Sequence, residues 1–232
     1  MKLRVRCDNE ALPSVTRIFR ARFYQVMLLS ITVEFAYREG YCIMDELVNY
    51  LCQFAKLTRS DIGYLGLHVR EISLARDEYL LDIDEIPKAM CFVKRGVLRT
   101  GYYNTRGDEV TKRFVMEHRF VSDVYAFHRQ RPSQEFVQAA LDSILVTFTP
   151  DALRHLSTLI VGWETMMAKI AIRMLHEKDN DADKEPGTSA ALRYKMFERS
   201  HPGLVDRIGL CHVASYLGIS KPTLSRIRRK VE

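Results

Sequence analysis

One stretch constrains this chain more than any other: HVASYLGISKPTLSRIRRK, His212 to Lys230. Val213, Leu217, Ile219, Leu224 and Ile227 have the spacing that two short helices need to pack across a tight turn. Ala214 falls where such helices approach most closely, and a large side chain there would clash. Gly218 falls at the turn, where a left-handed backbone is required. Ser220 is a suitable N-cap for the second helix, and Pro222 lies in its first turn, where a missing N–H is tolerated. The spacing therefore predicts a helix-turn-helix. Its outward positions are Lys221, Pro222, Thr223, Ser225, Arg226, Arg228 and Arg229. Hydrogen-bonding side chains at the N-terminal end, with positive charge along the length, suit base reading in a major groove plus phosphate anchoring. Ser220 and these seven residues form the candidate DNA-binding set, with double-stranded DNA as the expected partner. A solvated basic tail would need none of the packing positions.

Upstream, TPDALRHLSTLIVGWETMMAKIAIRMLHEK predicts one long helix over 149–178. Thr149 is its expected N-cap, Pro150 occupies the favoured first helical position, and Asp151 lies near the positive end of the dipole. Leu153, Leu156, Ile160, Trp163, Met167, Ile170 and Met174 alternate in steps of three and four, a heptad seam. A second stripe (Ala152, Leu159, Met166) makes the helix apolar on two sides, so it needs two partners. A homodimer is expected, with Leu156, Ile160, Trp163, Met167, Ile170 and Met174 at its interface.

Residues 41–148 hold a plausible helix from Met44 to Ala55. From about Gly66 follow short apolar or alternating runs, such as AMCFVKRGVLRTGYYN, separated by turn signals. GYYNTRGDEVTKRF reads as a hairpin turning at Asn104 to Gly107. Many strands without alternating helices imply a sandwich or barrel. Residues 1–40 form a basic, apolar arm without a clean period, and polar residues 179–190, with Pro186-Gly187, form a hinge. A helix stopped near Pro202 opens the 191–232 segment.

Composition excludes several classes. A net charge of +6 tilts the chain moderately toward polyanions. Its five cysteines, Cys7, Cys42, Cys52, Cys91 and Cys211, are odd in number and lack any CxxC pair. This argues for reduced thiols in a cytoplasmic protein, without a disulfide framework, metal or other cofactor. The best apolar run, Phe23 to Val33, has eleven uncharged residues where about twenty are needed to span a membrane. No His-x-His cluster, Ser–His–Asp motif, Walker loop or dinucleotide fingerprint appears, so no enzyme is expected.

A β-domain, a seam helix and a C-terminal helix-turn-helix, in that order, make the chain resemble the Crp/Fnr family of bacterial transcription regulators. RYKMFERSHPGLVDRIGLCHVASYLGIS, Arg193 to Ser220, is similar to the winged-helix domain of the branch common in Bacteroidetes. The likeness covers about residue 42 onward. It implies an α+β chain: an N-terminal antiparallel β jelly roll of cyclic-nucleotide-binding type, a long dimerisation helix and a C-terminal winged helix-turn-helix. It further implies a homodimer on a roughly palindromic site, two recognition helices about 34 Å apart, RNA polymerase as a further partner and an unidentified small-molecule effector. Lys221 stands where family members usually carry Arg, and Pro222 replaces a common Glu that could accept from cytosine N4. Arg226 matches a later Arg and is the guanine candidate; Arg228, Arg229 and Lys230 fit phosphate.

The family's nucleotide pocket pairs Gly-Glu with a later Arg-Ser or Arg-Thr. Here Ser122-Asp123 and Ser133-Gln134 occupy those positions, so Asp123 keeps a carboxylate but the phosphate-binding Arg is Ser133. A buried phosphate without its cation is costly to hold. Arg129 or Arg131 would have to substitute from the preceding loop, and no tight cyclic-AMP binding is expected. The competing reading is a small-ligand-binding regulatory module acting mainly through protein partners.

Overall fold

The computed structural model describes residues 44–179 and 188–231. The arm expected over residues 1–40 and the Pro186-Gly187 hinge lie outside the described residues.

Residues 44–51 are helical (α1), with Met44, Leu47, Tyr50 and Leu51 buried at helical spacing. The chain then turns rather than continuing to Ala55. Helix α2, Arg59–His68, opens with a reciprocal capping box between Thr58 and Asp61. Only Gly63 and Leu65 of α2 are buried, so it carries little apolar periodicity to betray it in the sequence.

Eight strands follow: β1 Arg70–Leu74, β2 Tyr79–Leu81, β3 Met90–Arg95, β4 Leu98–Tyr103, β5 Glu109–Val115, β6 Arg119–Val121, β7 Phe136–Ala139 and β8 Ser143–Phe148. A short helix, α3 (Val124–Arg129), lies between β6 and β7. The strands make two antiparallel sheets, ordered β1-β8-β3-β6 and β2-β7-β4-β5. The β4–β5 hairpin closes at Asn104 to Gly107. The Asn104 N–H donates to the Asp108 carbonyl at 2.9 Å, and Gly107 takes a φ of 83°. Strand alternation sorts the side chains of β3 and β8. Cys91, Val93 and Leu145 fill the space between the sheets, while Phe92, Val146 and Phe148 face outward against helices.

The expected single helix over 149–178 is two helices, α4 (Pro150–Leu159) and α5 (Trp163–Asp179). Ile160 is extended and Gly162 takes a φ of 77°, a left-handed conformation that ends one helix before the next begins. Thr149 caps α4 by accepting from the Ala152 N–H at 3.2 Å.

The expected dimer seam is also corrected. Leu156, Ile160, Trp163, Ile170 and Met174 are buried within one chain against Phe92, Phe120 and Phe148 and against α1, with Met167 packed at the margin. The β-roll needs a cover for its aromatic outer face, and the seam supplies it. Lys178 to Glu135 at 3.0 Å and Arg119 to Glu177 at 3.3 Å further bind α5 to the roll. The face left open carries Val161, fully exposed at 100%, Ile172 at 53% and Leu175 at 44%.

Four helices complete the fold: α6 Ala190–Ser200, α7 Leu204–Arg207, α8 Leu210–Tyr216 and α9 Lys221–Val231. Among the described residues no strand follows β8, and this segment is taken up by helices.

Candidate nucleic-acid interface and effector pocket

Helices α8 and α9 meet at Gly218, whose φ is 63°. The Ile219 N–H donates to the Ala214 carbonyl at 3.0 Å and closes the turn. Val213, Ala214, Leu217 and Leu224 are buried, with Ile219 and Ile227 packed beside them on Tyr194 and Phe197 of α6. Ser220 caps α9: its Oγ accepts from the Thr223 N–H at 3.3 Å and lies 2.9 Å from Thr223 Oγ1. Lys221, Pro222, Arg226, Arg229 and Lys230 are exposed along α9, while Thr223 and Ser225 are half-buried. Arg226 folds back on its own helix, with Nη2 donating to Thr223 Oγ1 at 3.4 Å. Arg228, expected at phosphate, donates from its Nη2 to Asp206 of α7 at 2.9 Å.

The helix-turn-helix rests on the β-roll through contacts that nothing in the sequence announced. Ser215 of α8 straddles the open edge of β5. Its Oγ accepts from the Thr111 N–H at 3.0 Å and donates to the Glu109 carbonyl at 3.2 Å. Arg207 of α7 makes a forked ion pair with Glu117, one arm at 3.2 Å. Val97, Phe114 and Ala140 of the roll join the apolar cluster of α6 to α9.

Beneath Ser215 lies Arg99, only 2% exposed, on β4. It donates to Gln138 Oε1 at 2.7 Å, to Thr111 Oγ1 at 3.2 Å and to the Glu109 carboxylate, and stacks over Phe136. Burial alone would raise the Glu109 pKa. Hydrogen bonds from Tyr79 and Arg99 outweigh it and hold the carboxyl below its usual range. His212 faces the same network, 3.7 Å from Asp77. Burial, followed by the Arg99 charge, pushes its pKa down despite Asp77. The one sequence signal for this network is an arginine inside the otherwise uncharged run LRTGYY.

Three of the four pocket residues lie together, in a closed arrangement. Asp123 caps α3, its Oδ1 accepting from the Tyr125 and Ala126 N–H groups at 3.2 Å each. Its Oδ2 accepts from Ser133 Oγ at 2.8 Å. Ser133 is wholly buried and is tied by its backbone to Asp84 and Glu85 at 2.9 Å each. Ser122 adjoins them, with its hydroxyl buried and unpartnered. Gln134 instead faces solvent, as do Arg129 and Arg131, and Arg129 stacks on the Tyr125 ring at 4.6 Å. Where the family resemblance calls for a cation beside the carboxylate, a hydroxyl has closed the gap.

The sequence matches no family model and no curated relative. Solved structures are similar in fold. The c-di-GMP responsive global regulator CLP of Xanthomonas campestris is 12% identical, with a TM-score of 0.59 over 75% of this chain and 91% of that one. FixK2 of Bradyrhizobium japonicum is 15% identical, with a TM-score of 0.58 over 70% of this chain and 84% of that one. A CooA mutant of Carboxydothermus hydrogenoformans is 16% identical, with a TM-score of 0.54 over 72% of this chain and 78% of that one. The double-sheeted roll, its covering helices and the helix-turn-helix thus give this chain the fold of the Crp/Fnr-family regulators.

Proposed function

We propose that this protein is a sequence-specific DNA-binding transcription regulator that acts as a homodimer on a two-fold-symmetric site. The observation that carries the reading is the α8–Gly218–α9 unit. It has a packed inner face and an open outer face bearing Lys221, Arg226, Arg229 and Lys230. Arg226 is the candidate for bidentate guanine contact after swinging off Thr223, Arg229 and Lys230 anchor phosphate, and Arg228 steadies α9 on α7.

The dimer face is the outer side of α5. Thr165, Ala168, Ile172 and Leu175 repeat in steps of three and four along α5, and Val161 is exposed just ahead of it in the break. This stripe replaces the one expected from the sequence, which the β-roll already occupies. The sensor pocket is not a cyclic-AMP site: Asp123 is satisfied by α3 and Ser133, and it forms no ion pair among the described residues.

Selection of a preferred site from random DNA, followed by a gel shift, tests the reading. Arg226→Ala should weaken that site by roughly ten- to a hundredfold and relax base preference at one position per half-site, leaving the dimer intact. Equal binding of all sequences by the unaltered protein would sink the proposal.

A further inference from the structure

Between the two sheets the β-roll retains a cavity of about 250 Å³. Its depth is apolar, walled by Ile72, Leu80 and Val137, while Lys88, Ser122 and Thr149 also line it. The strand registers gather these last three at one end. Met90 pairs with Phe148 and Cys91 with Val121, so the residues just before β3, just after β6 and just after β8 are neighbours. Ile72 pairs with Leu145, deeper along β8.

We propose that this cavity binds a small monocarboxylate with a short unbranched apolar body. The carboxylate would lie at the Lys88–Ser122 end and the hydrocarbon between the sheets. Three observations converge. The volume holds roughly eight non-hydrogen atoms at about 30 Å³ each, enough for hexanoate and far too little for a nucleotide. The Ser122 hydroxyl is buried without a hydrogen-bond partner among the described residues. An unmet buried hydroxyl is unfavourable, and a small rotation would give its proton to a carboxylate oxygen. Among the described residues Lys88 is the one cation lining the cavity, while the neighbouring Asp123 carboxylate is turned away into α3 and Ser133. Apolar walls with a few polar groups at one end are what an amphipathic ligand requires.

Thr149 gives the site an output. The same residue that lines the cavity caps α4, which leads through the Ile160–Gly162 break into α5. Occupancy therefore bears on the helix that carries the dimer face. That regulatory role rests on the DNA-binding reading above; occupancy itself does not.

The test is calorimetric titration of the full chain with hexanoate, hexan-1-ol and cyclic AMP, alongside a gel shift on the same preparation. Hexanoate should bind with a Kd on the order of 1 mM or tighter, hexan-1-ol several-fold more weakly, and cyclic AMP without heat. Lys88→Gln, a change at an exposed side chain, should weaken hexanoate roughly fivefold while leaving hexan-1-ol unaffected. Ala89→Leu, which fills the cavity mouth, should abolish both while the thermal transition stays cooperative. Absence of hexanoate binding, or hexanoate binding indifferent to both substitutions, overturns the proposal, as does cyclic AMP competing for the site. Specific DNA binding without hexanoate binding sinks this inference and leaves the regulator reading standing.

Discussion

At Gly101, on β4, an added Cβ would lie 2.2 Å from the Val110 carbonyl oxygen and 2.4 Å from the Phe136 ring. At Gly218 nothing lies within 4 Å, but φ is 63°. The two glycines are needed for different reasons, steric at one and conformational at the other. Gly101→Ala should cost about 3 kcal/mol, because backbone must move in a packed sheet. Gly218→Ala should cost about 1 kcal/mol, the price of a left-handed alanine, with the helix-turn-helix still formed. Urea denaturation of the two variants separates them; equal losses would refute the distinction. The second glycine was legible in the sequence, because helix-turn-helix spacing assigns it a backbone conformation. The first was not, since a close approach depends on which strand becomes its neighbour.

Among the elements, those with strong local signals were readable in advance: the α8–α9 unit, the Asn104–Gly107 turn and the Thr149 cap. What escaped were pairings between distant segments. Helix periodicity located an apolar stripe on 149–178 but could not say whether the β-roll or a second chain would cover it. The aromatic outer face of Phe92, Phe120 and Phe148 decided that. Likewise no local pattern marks Ser215 as the residue that caps β5, more than a hundred positions upstream. Ser215→Ala should lower the unfolding free energy by about 1–3 kcal/mol, because the fully buried Thr111 loses the acceptor of its N–H. A loss below about 0.5 kcal/mol in urea denaturation would show that water replaces the hydroxyl there.

For the molecule as a whole, one face of α5 covers the roll, and the other is the face proposed above to meet a second chain. Val161→Glu combined with Ile172→Glu should convert the dimer to monomer in light scattering, with the circular dichroism spectrum unchanged. Specific DNA affinity should then fall by on the order of a hundredfold, as two tethered half-site contacts become one. A dimer that survives both substitutions would place the interface elsewhere. Acidity should loosen the union of the roll and the helix-turn-helix. His212 has a folded pKa below the ordinary histidine value near 6.5, so the unfolded chain binds its proton first. That contribution is complete above about pH 6.5 and is lost as pH falls through the folded value. The melting temperature should therefore drop between about pH 7 and pH 5, and His212→Gln should flatten part of the drop. A pH profile identical in the two proteins would remove His212 from the account.

Ser215 also has a bearing on solubility. Strand β5 closes one side of its sheet, with α8 laid along it. Exposed strand edges are templates for pairing with other chains. Any motion that lifts α8 away from the roll would uncover the Thr111 N–H and the Glu109 carbonyl together. The molecule would then be most prone to edge-to-edge aggregation while the α8–α9 unit is in transit, and under the proposed function bound DNA or a partner's surface would act as its protector.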